Sequence, residues 1–203
     1  SGHFVLFVGD EGTILTYFER KKVVRRLFAQ SPDAKAAKAF AELLFEYPKA
    51  PISVLVDIVD QSYVRQTLPP VSALGIGKLI KRRLKRDFAA DDLKGALTQG
   101  RDKDGRKEWN VMLIALPYKK VEPWCELIYP TPNPFKGVFL TPVEVEHIAK
   151  TLRKQMQGEE AKTAANTSAS DTKAAAPEVQ WDMLVFHNKT GGFRQIVLRN
   201  EQL

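Results

Sequence analysis

Six of the nine residues from Lys78 to Arg86 are basic: Lys78, Lys81, Arg82, Arg83, Lys85 and Arg86. At helical spacing they crowd the face opposite Ile76, Ile80 and Leu84. Like charges four apart repel mildly, so this density is not free. Such a face suits docking to an acidic protein or to anionic lipid, each basic residue near a lipid surface contributing about 1 kcal/mol. The same run also serves as an ordinary solvated helix face. Arg83 falls nearer the apolar stripe, where its stem can pack. The candidate partner-binding residues are therefore Lys78, Lys81, Arg82, Lys85 and Arg86.

Other chemistry is sparse. Cys125 is the single cysteine, so no intrachain disulfide forms, and beside Trp124 it reads as a packed thiol. His3, His147 and His187 are scattered and give no zinc spacing. There is no P-loop, no Gly-x-Ser-x-Gly and no paired-acid motif. Trp109, Trp124 and Trp181 read as core or interface anchors, and Arg101, Asp102, Lys103, Asp104 and Arg106 as loop solubility residues. Catalytic residues, metal and cofactor are all expected to be none.

The composition is that of a globular chain: 203 residues, 44% hydrophobic and 27% charged. A core of ordinary size is within reach without a metal or disulfide staple. Thirty-one Lys and Arg against 24 Asp and Glu give +7, with an isoelectric point near 9.4. That balance favours acidic partners: nucleic acid, an anionic membrane surface or an acidic protein face. The longest apolar run, Ile52 to Val59, is broken by Asp57 and falls far short of the ~20 residues that span a bilayer. No secretory signal is present. Ser1-Gly2-His3 reads as a cloning remnant, which makes the chain an excised piece whose parent protein can continue into a membrane span.

The elements that must carry these residues follow from periodicity. Phe4–Val8, Thr13–Phe18 and Val23–Phe28 read as a meander of short strands around Gly9–Gly12 and Lys21-Lys22. Ser31-Pro-Asp33 starts a helix, with Ser31 at the cap and Pro32 at the first position. That helix runs from Ala34 to Tyr47, with Ala37, Phe40, Ala41, Leu44 and Phe45 on one face. Pro51 to Val59 is a strand apolar on nearly every position, as in a central strand covered on both sides. Leu68-Pro-Pro70 introduces a helix over Ser72–Phe88. Gly100–Gly105 is a hairpin loop, Trp109–Leu116 a buried strand, Glu122–Ile128 a short helix and Gly137–Leu140 a short strand. Thr141-Pro-Val-Glu144 is a capping box opening a helix to about Gln155.

Residues 157–177 hold no large apolar side chain and read as a flexible linker. Two strands around Gly191-Gly192 then form a hairpin. The domain plan is an α/β domain over 4–156, the linker, and a hairpin over 178–203. That hairpin either adds to the main sheet or begins a truncated second subdomain.

This order of elements resembles one half of the actin-like, ribonuclease H-like fold: a mixed sheet with an N-terminal antiparallel meander and flanking helices. Within that superfamily the chain is similar to the degenerate cytoplasmic domains of bacterial envelope machines. These are the L component of type II secretion, the M protein of type IV pili and the related bundle-forming-pilus protein. The segments that carry the likeness are Leu55-Val-Asp-Ile-Val-Asp-Gln-Ser-Tyr-Val-Arg65, Leu68-Pro-Pro70 and Lys81-Arg-Arg-Leu84. The loop Gly100–Arg106, Ala115-Leu-Pro117, Pro123-Trp124 and Gly191-Gly-Phe-Arg-Gln195 fit the same family.

The resemblance implies a non-enzymatic scaffold at the cytoplasmic face of the inner membrane. Its implied partners are other pilus or secretion assembly proteins, a cytoplasmic ATPase among them, with an anionic membrane surface as a further candidate. It also draws attention to Asp10-Glu-Gly-Thr13. Active actin-like ATPases carry Asp-x-Gly-(Ser/Thr) at this turn, where amides cradle a phosphate and the acid sits near the metal. Asp10, Gly12 and Thr13 are thus a candidate vestigial phosphate turn, although a strand-to-strand turn wants Asp and Gly in any case. The only counterpart for a second phosphate loop is Asn188–Gly192. The alternatives are an ATP-binding actin-like fragment using that turn, and a basic nucleic-acid-binding module. No helix-turn-helix, zinc finger or aromatic RNA-binding signature supports the last.

Overall fold

The computed structural model describes residues 2–101, 106–164 and 181–199. In chain order the elements are β1 (Gly2–Gly9), β2 (Gly12–Glu19), β3 (Lys22–Ala29), α1 (Ala34–Glu46), β4 (Ile52–Asp57), β5 (Ser62–Leu68) and α2 (Ala73–Asp87). They continue as β6 (Asp92–Arg101), β7 (Trp109–Pro117), α3 (Tyr118–Glu126), β8 (Phe135–Leu140), α4 (Thr141–Ala164), β9 (Trp181–Asn188) and β10 (Gly192–Arg199). The chain divides into two compact units. One comprises Ser1–Asp57 with Ile128–Leu203, and the other Ile58–Leu127.

The first unit holds a mixed five-stranded sheet in the order β3-β2-β1-β4-β8. The meander β1–β2–β3 is antiparallel, whereas β4 runs parallel to both β1 and β8. Alternate positions of the two central strands are buried: Phe4, Leu6 and Val8 on β1, and Ile52, Val54 and Val56 on β4. Gly2 and His3 extend β1, and His3 stacks on Phe18 with ring centroids 5.1 Å apart. Helix α1 buries Ala36, Phe40, Leu43 and Leu44, at helical spacing. The expected stripe is therefore rotated: Ala37 and Ala41 are half-buried, and Phe45 is exposed. The cap also moves. Asp33, not Ser31, accepts the Ala36 amide at 2.8 Å, and Ser31 donates its hydroxyl to Asp33. A carboxylate is the stronger acceptor, so it takes the capping position and the hydroxyl supports it.

The second unit is a three-stranded antiparallel sheet, β5-β7-β6, with α2 packed on it. Its core joins Leu68, Ile76, Val111 and Leu113, flanked by Leu79, Ile80 and Leu84 of the expected helix stripe. The buried strand expected at Trp109–Leu116 belongs here, at the centre of this smaller sheet. β5 and β6 escaped the sequence reading because their polar residues hide the period of two. On β5 Leu68 is the one buried position, beside exposed Arg65 and Thr67. The middle of the loop expected at Gly100–Gly105 lies outside the described residues.

Three boundaries differ from expectation. Pro123 sits in the second half of α3, which starts at Tyr118 rather than Glu122. The buried Thr141 hydroxyl finds no partner, so the expected capping box does not form. Helix α4 also continues to Ala164, eight residues into the stretch read as a linker. The residues there, Gln157 to Ala164, are mostly good helix formers, and helix propensity needs no apolar anchor. The remainder of that linker, 165–177, lies outside the described residues.

The hairpin forms as expected but does not join the five-stranded sheet. β9 and β10 make their own two-stranded sheet. Their apolar positions Leu184, Phe186, Ile196 and Leu198 pack face-on against Val145 and Ala149 of α4, which removes the need for edge pairing. Among the described residues no helix is long and apolar enough to cross a membrane.

Candidate functional site

Helix α2 carries the basic face. Ser72 caps it, its hydroxyl accepting the Gly75 amide at 3.2 Å. Ile76 is buried, Leu79, Ile80 and Leu84 pack on the sheet, and Lys78, Lys81, Arg82, Lys85 and Arg86 are all exposed. Arg83 is half-buried. Arg86 is partly neutralised, because its guanidinium grips Asp87 through two nitrogens. That grip, and then the Gln66 amide at 2.8 Å, hold the Asp87 carboxyl below its ordinary value. Among the described residues no carboxylate pairs with Lys78, Lys81, Arg82 or Lys85, so four cations stand together at the surface. Lys85 and Arg86 also sit favourably in the last turn, at the negative end of the helix dipole.

The second cluster gathers where β1, β4 and the β9–β10 turn meet. Asp57 ends β4 and is 2% exposed. Its carboxylate lies 3.3 Å from Nε of Arg194 and accepts a hydrogen bond from the Asn188 side chain. Nη2 of Arg194 reaches Asp10 at 3.0 Å and the Asp57 carbonyl at 3.1 Å, while Nη1 donates to the Gly191 carbonyl. Asn188 also braces its own turn, accepting from the Thr190 amide at 2.9 Å and the Thr190 hydroxyl at 2.8 Å. The amide of Glu11 donates to the Thr190 carbonyl at 2.8 Å. Gly12, at φ +138°, has no space for a side chain beneath the Ala29 carbonyl and the Phe28 ring.

Of the candidate phosphate turn, Asp10 thus joins this cluster, whereas Gly12 lies against Ala29 and Phe28 of β3 and Thr13 stays apart. Across β1–β2, Thr13 pairs with Val8, and across β1–β4, Asp57 pairs with Gly9. Successive strand residues face opposite ways, so the Thr13 hydroxyl lies on the other side of the sheet. It is fully buried and has no hydrogen-bond partner. The amide and the acid of the turn are spent on the chain's own Thr190 and Arg194. Among the described residues no group of three or more His, Cys, Asp or Glu is placed to hold a metal.

The first unit is a mixed α/β fold with the strand order β3-β2-β1-β4-β8, β4 running parallel to both its neighbours. No family model matches the sequence and no curated protein matches it. Solved structures do. The cytoplasmic domain of EpsL, an inner membrane component of the type II secretion system of Vibrio cholerae, aligns over 98% of this chain and 71% of its own, at 11% identity and a TM-score of 0.50. The PilM–PilN type IV pilus biogenesis complex aligns over 69% of this chain, also at 11% identity, with a TM-score of 0.52. This chain spans 47%, about half, of the length of that second structure. A Bacteroides thetaiotaomicron protein with an actin-like ATPase fold is more distant, at 8% identity and a TM-score of 0.34, over 73% of this chain and 56% of that one. At these identities the likeness is one of fold.

The sequence reading placed Asn188 and Thr190 only within the counterpart loop Asn188–Gly192, and Asp57 and Arg194 only within segments of family likeness; it did not bring the four together. One signal was present: Asp57 is the only charged residue between Ile52 and Val59. A carboxylate inside a buried strand must find a cation or several donors. Nothing in the spacing of 137 residues says that the partner is Arg194.

Proposed function

We propose that this chain is a non-enzymatic docking domain of a bacterial pilus or secretion-type envelope machine, working at the cytoplasmic face of the inner membrane. The observation that carries the reading is the alignment of nearly the whole chain with the cytoplasmic domain of an inner membrane secretion component. The internal use of the β1–β2 turn supports it. An incoming phosphate would have to displace the Thr190 carbonyl from the Glu11 amide, and a metal would compete with Arg194 for Asp10. The partners are other assembly proteins of the machine, a cytoplasmic ATPase among them, with the anionic membrane surface alongside. The element that meets them is the exposed face of α2, through Lys78, Lys81, Arg82, Lys85 and Arg86.

The test is affinity capture from the source cells with the wild-type chain and with a Lys81→Glu, Arg82→Glu, Lys85→Glu variant, quantified by mass spectrometry. Envelope-assembly proteins should be enriched by the wild type and lost with the variant. Identical captures would remove α2 from the proposal. Calorimetric binding of Mg-ATP in the low micromolar range, abolished in Asp10→Ala, would replace it with an ATP-binding reading.

A further inference from the structure

We infer that the end of β4 and the β1–β2 turn form a socket for a guanidinium group, which the chain fills with its own Arg194 to hold the β9–β10 hairpin in place. The side-chain contacts run one way, while one backbone bond, from the Glu11 amide to the Thr190 carbonyl, runs the other. The sheet supplies acceptors: the Asp57 carboxylate, the Asp57 carbonyl and the Asp10 carboxylate. The hairpin supplies donors: Nε and Nη2 of Arg194 and the Asn188 amide. A planar fork meets the two carboxylates and the carbonyl from two nitrogens held rigidly apart, whereas an ammonium offers its three donors from a single point. The Gly191 carbonyl, from the hairpin itself, steadies the fork in its pose.

Burial makes the socket selective. The Asp57 side chain is 2% exposed, against 18% for Arg194 and 26% for Asp10. Among the described residues, removing the guanidinium leaves the buried Asp57 carboxylate with the Asn188 amide alone, a large penalty compared with the loss of a surface pair. Among the described residues the hairpin turn is also held by the Asn188–Asp57 hydrogen bond, the Glu11–Thr190 backbone hydrogen bond and the packing of Thr190 on Gly9. The hairpin's apolar contact is a small cluster of Ile196 and Leu198 against Val145, with Leu184, Phe186 and Ala149 around it. Two-stranded ribbons are marginal alone, so this one stays ordered only while it is docked. The inference is independent of which partner meets α2, since it concerns how the chain occupies its own turn.

Hydrogen exchange of the full chain tests it. In Arg194→Ala, the amides of β9 and β10 should exchange on the order of 100-fold faster, while those of β1, β4 and α1 keep their protection. Methylguanidinium at millimolar concentration should restore hairpin protection in Arg194→Ala and fail to do so in Arg194→Ala, Asp57→Asn. Arg194→Lys, which keeps the charge and the stem, should lose protection in the hairpin alone. Unchanged hairpin exchange in Arg194→Ala overturns the socket. So does full protection in Arg194→Lys, which would mean any cation suffices. An equal loss across β1 and β4 would make Arg194 a general stabiliser, and the inference would fall.

Discussion

Thr190 packs directly onto the backbone of Gly9. A Cβ built on Gly9 would lie 2.5 Å from the Thr190 carbonyl oxygen and collide with the Thr190 side chain as well. Thr190 is fully buried in consequence, and its carbonyl holds the Glu11 amide. Glycine is needed at position 9 for this close approach by the hairpin turn.

Gly9→Ala should therefore push the β9–β10 turn off the sheet without touching any charge. Overpacking of this kind costs roughly 1–3 kcal/mol. Limited proteolysis should cut the variant within the hairpin while the remaining strands stay intact. Wild-type resistance in the variant would show that Thr190 is not pressed against Gly9.

Thr13→Val should be neutral or stabilising by about 1 kcal/mol. The hydroxyl is buried and unpartnered, and replacing it by a methyl of the same shape removes a desolvated polar group. Chemical denaturation would report it. A clear loss of stability would mean that the hydroxyl has a partner after all.

Reversing Lys81, Arg82 and Lys85 to Glu should change stability by less than about 0.5 kcal/mol, because exposed charges contribute little to folding. Binding of the wild-type chain to vesicles containing phosphatidylglycerol should weaken as salt rises, and the triple variant should not bind. Binding that survives the reversal would make α2 an ordinary solvated face.

The α1 cap gives a pH dependence with a definite sign. The Ala36 amide, and after it the Ser31 hydroxyl, hold the Asp33 carboxyl below its ordinary value of 3.8. A lowered folded pKa means stability that is present above the unfolded value and lost as pH falls through the folded one. The stability difference between wild type and Asp33→Ala should hold steady at neutral pH and shrink as pH drops below 3.8. Denaturant titrations across that range would measure it, and a gap that widens on acidification would contradict the cap.

By itself, the sequence determined the elements whose pattern is local. The meander over Phe4–Phe28, the α2 stripe of Ile76, Ile80 and Leu84, and the Gly-Gly hairpin all follow from periodicity and turn chemistry between near neighbours. The exposure of Lys78, Lys81, Arg82, Lys85 and Arg86 follows from that stripe, since burying one helix face turns the other to water. Tertiary structure alone decided the rest. Whether Ser31 or Asp33 caps α1, and which way Thr13 faces, depended on competition and register between strands. The pairing of Asp57 with Arg194 joins residues far apart in the chain, and only the approach of the hairpin turn to the end of β4 brings them together. A buried carboxylate announces that a partner exists, but the side chain that answers it is chosen by the fold.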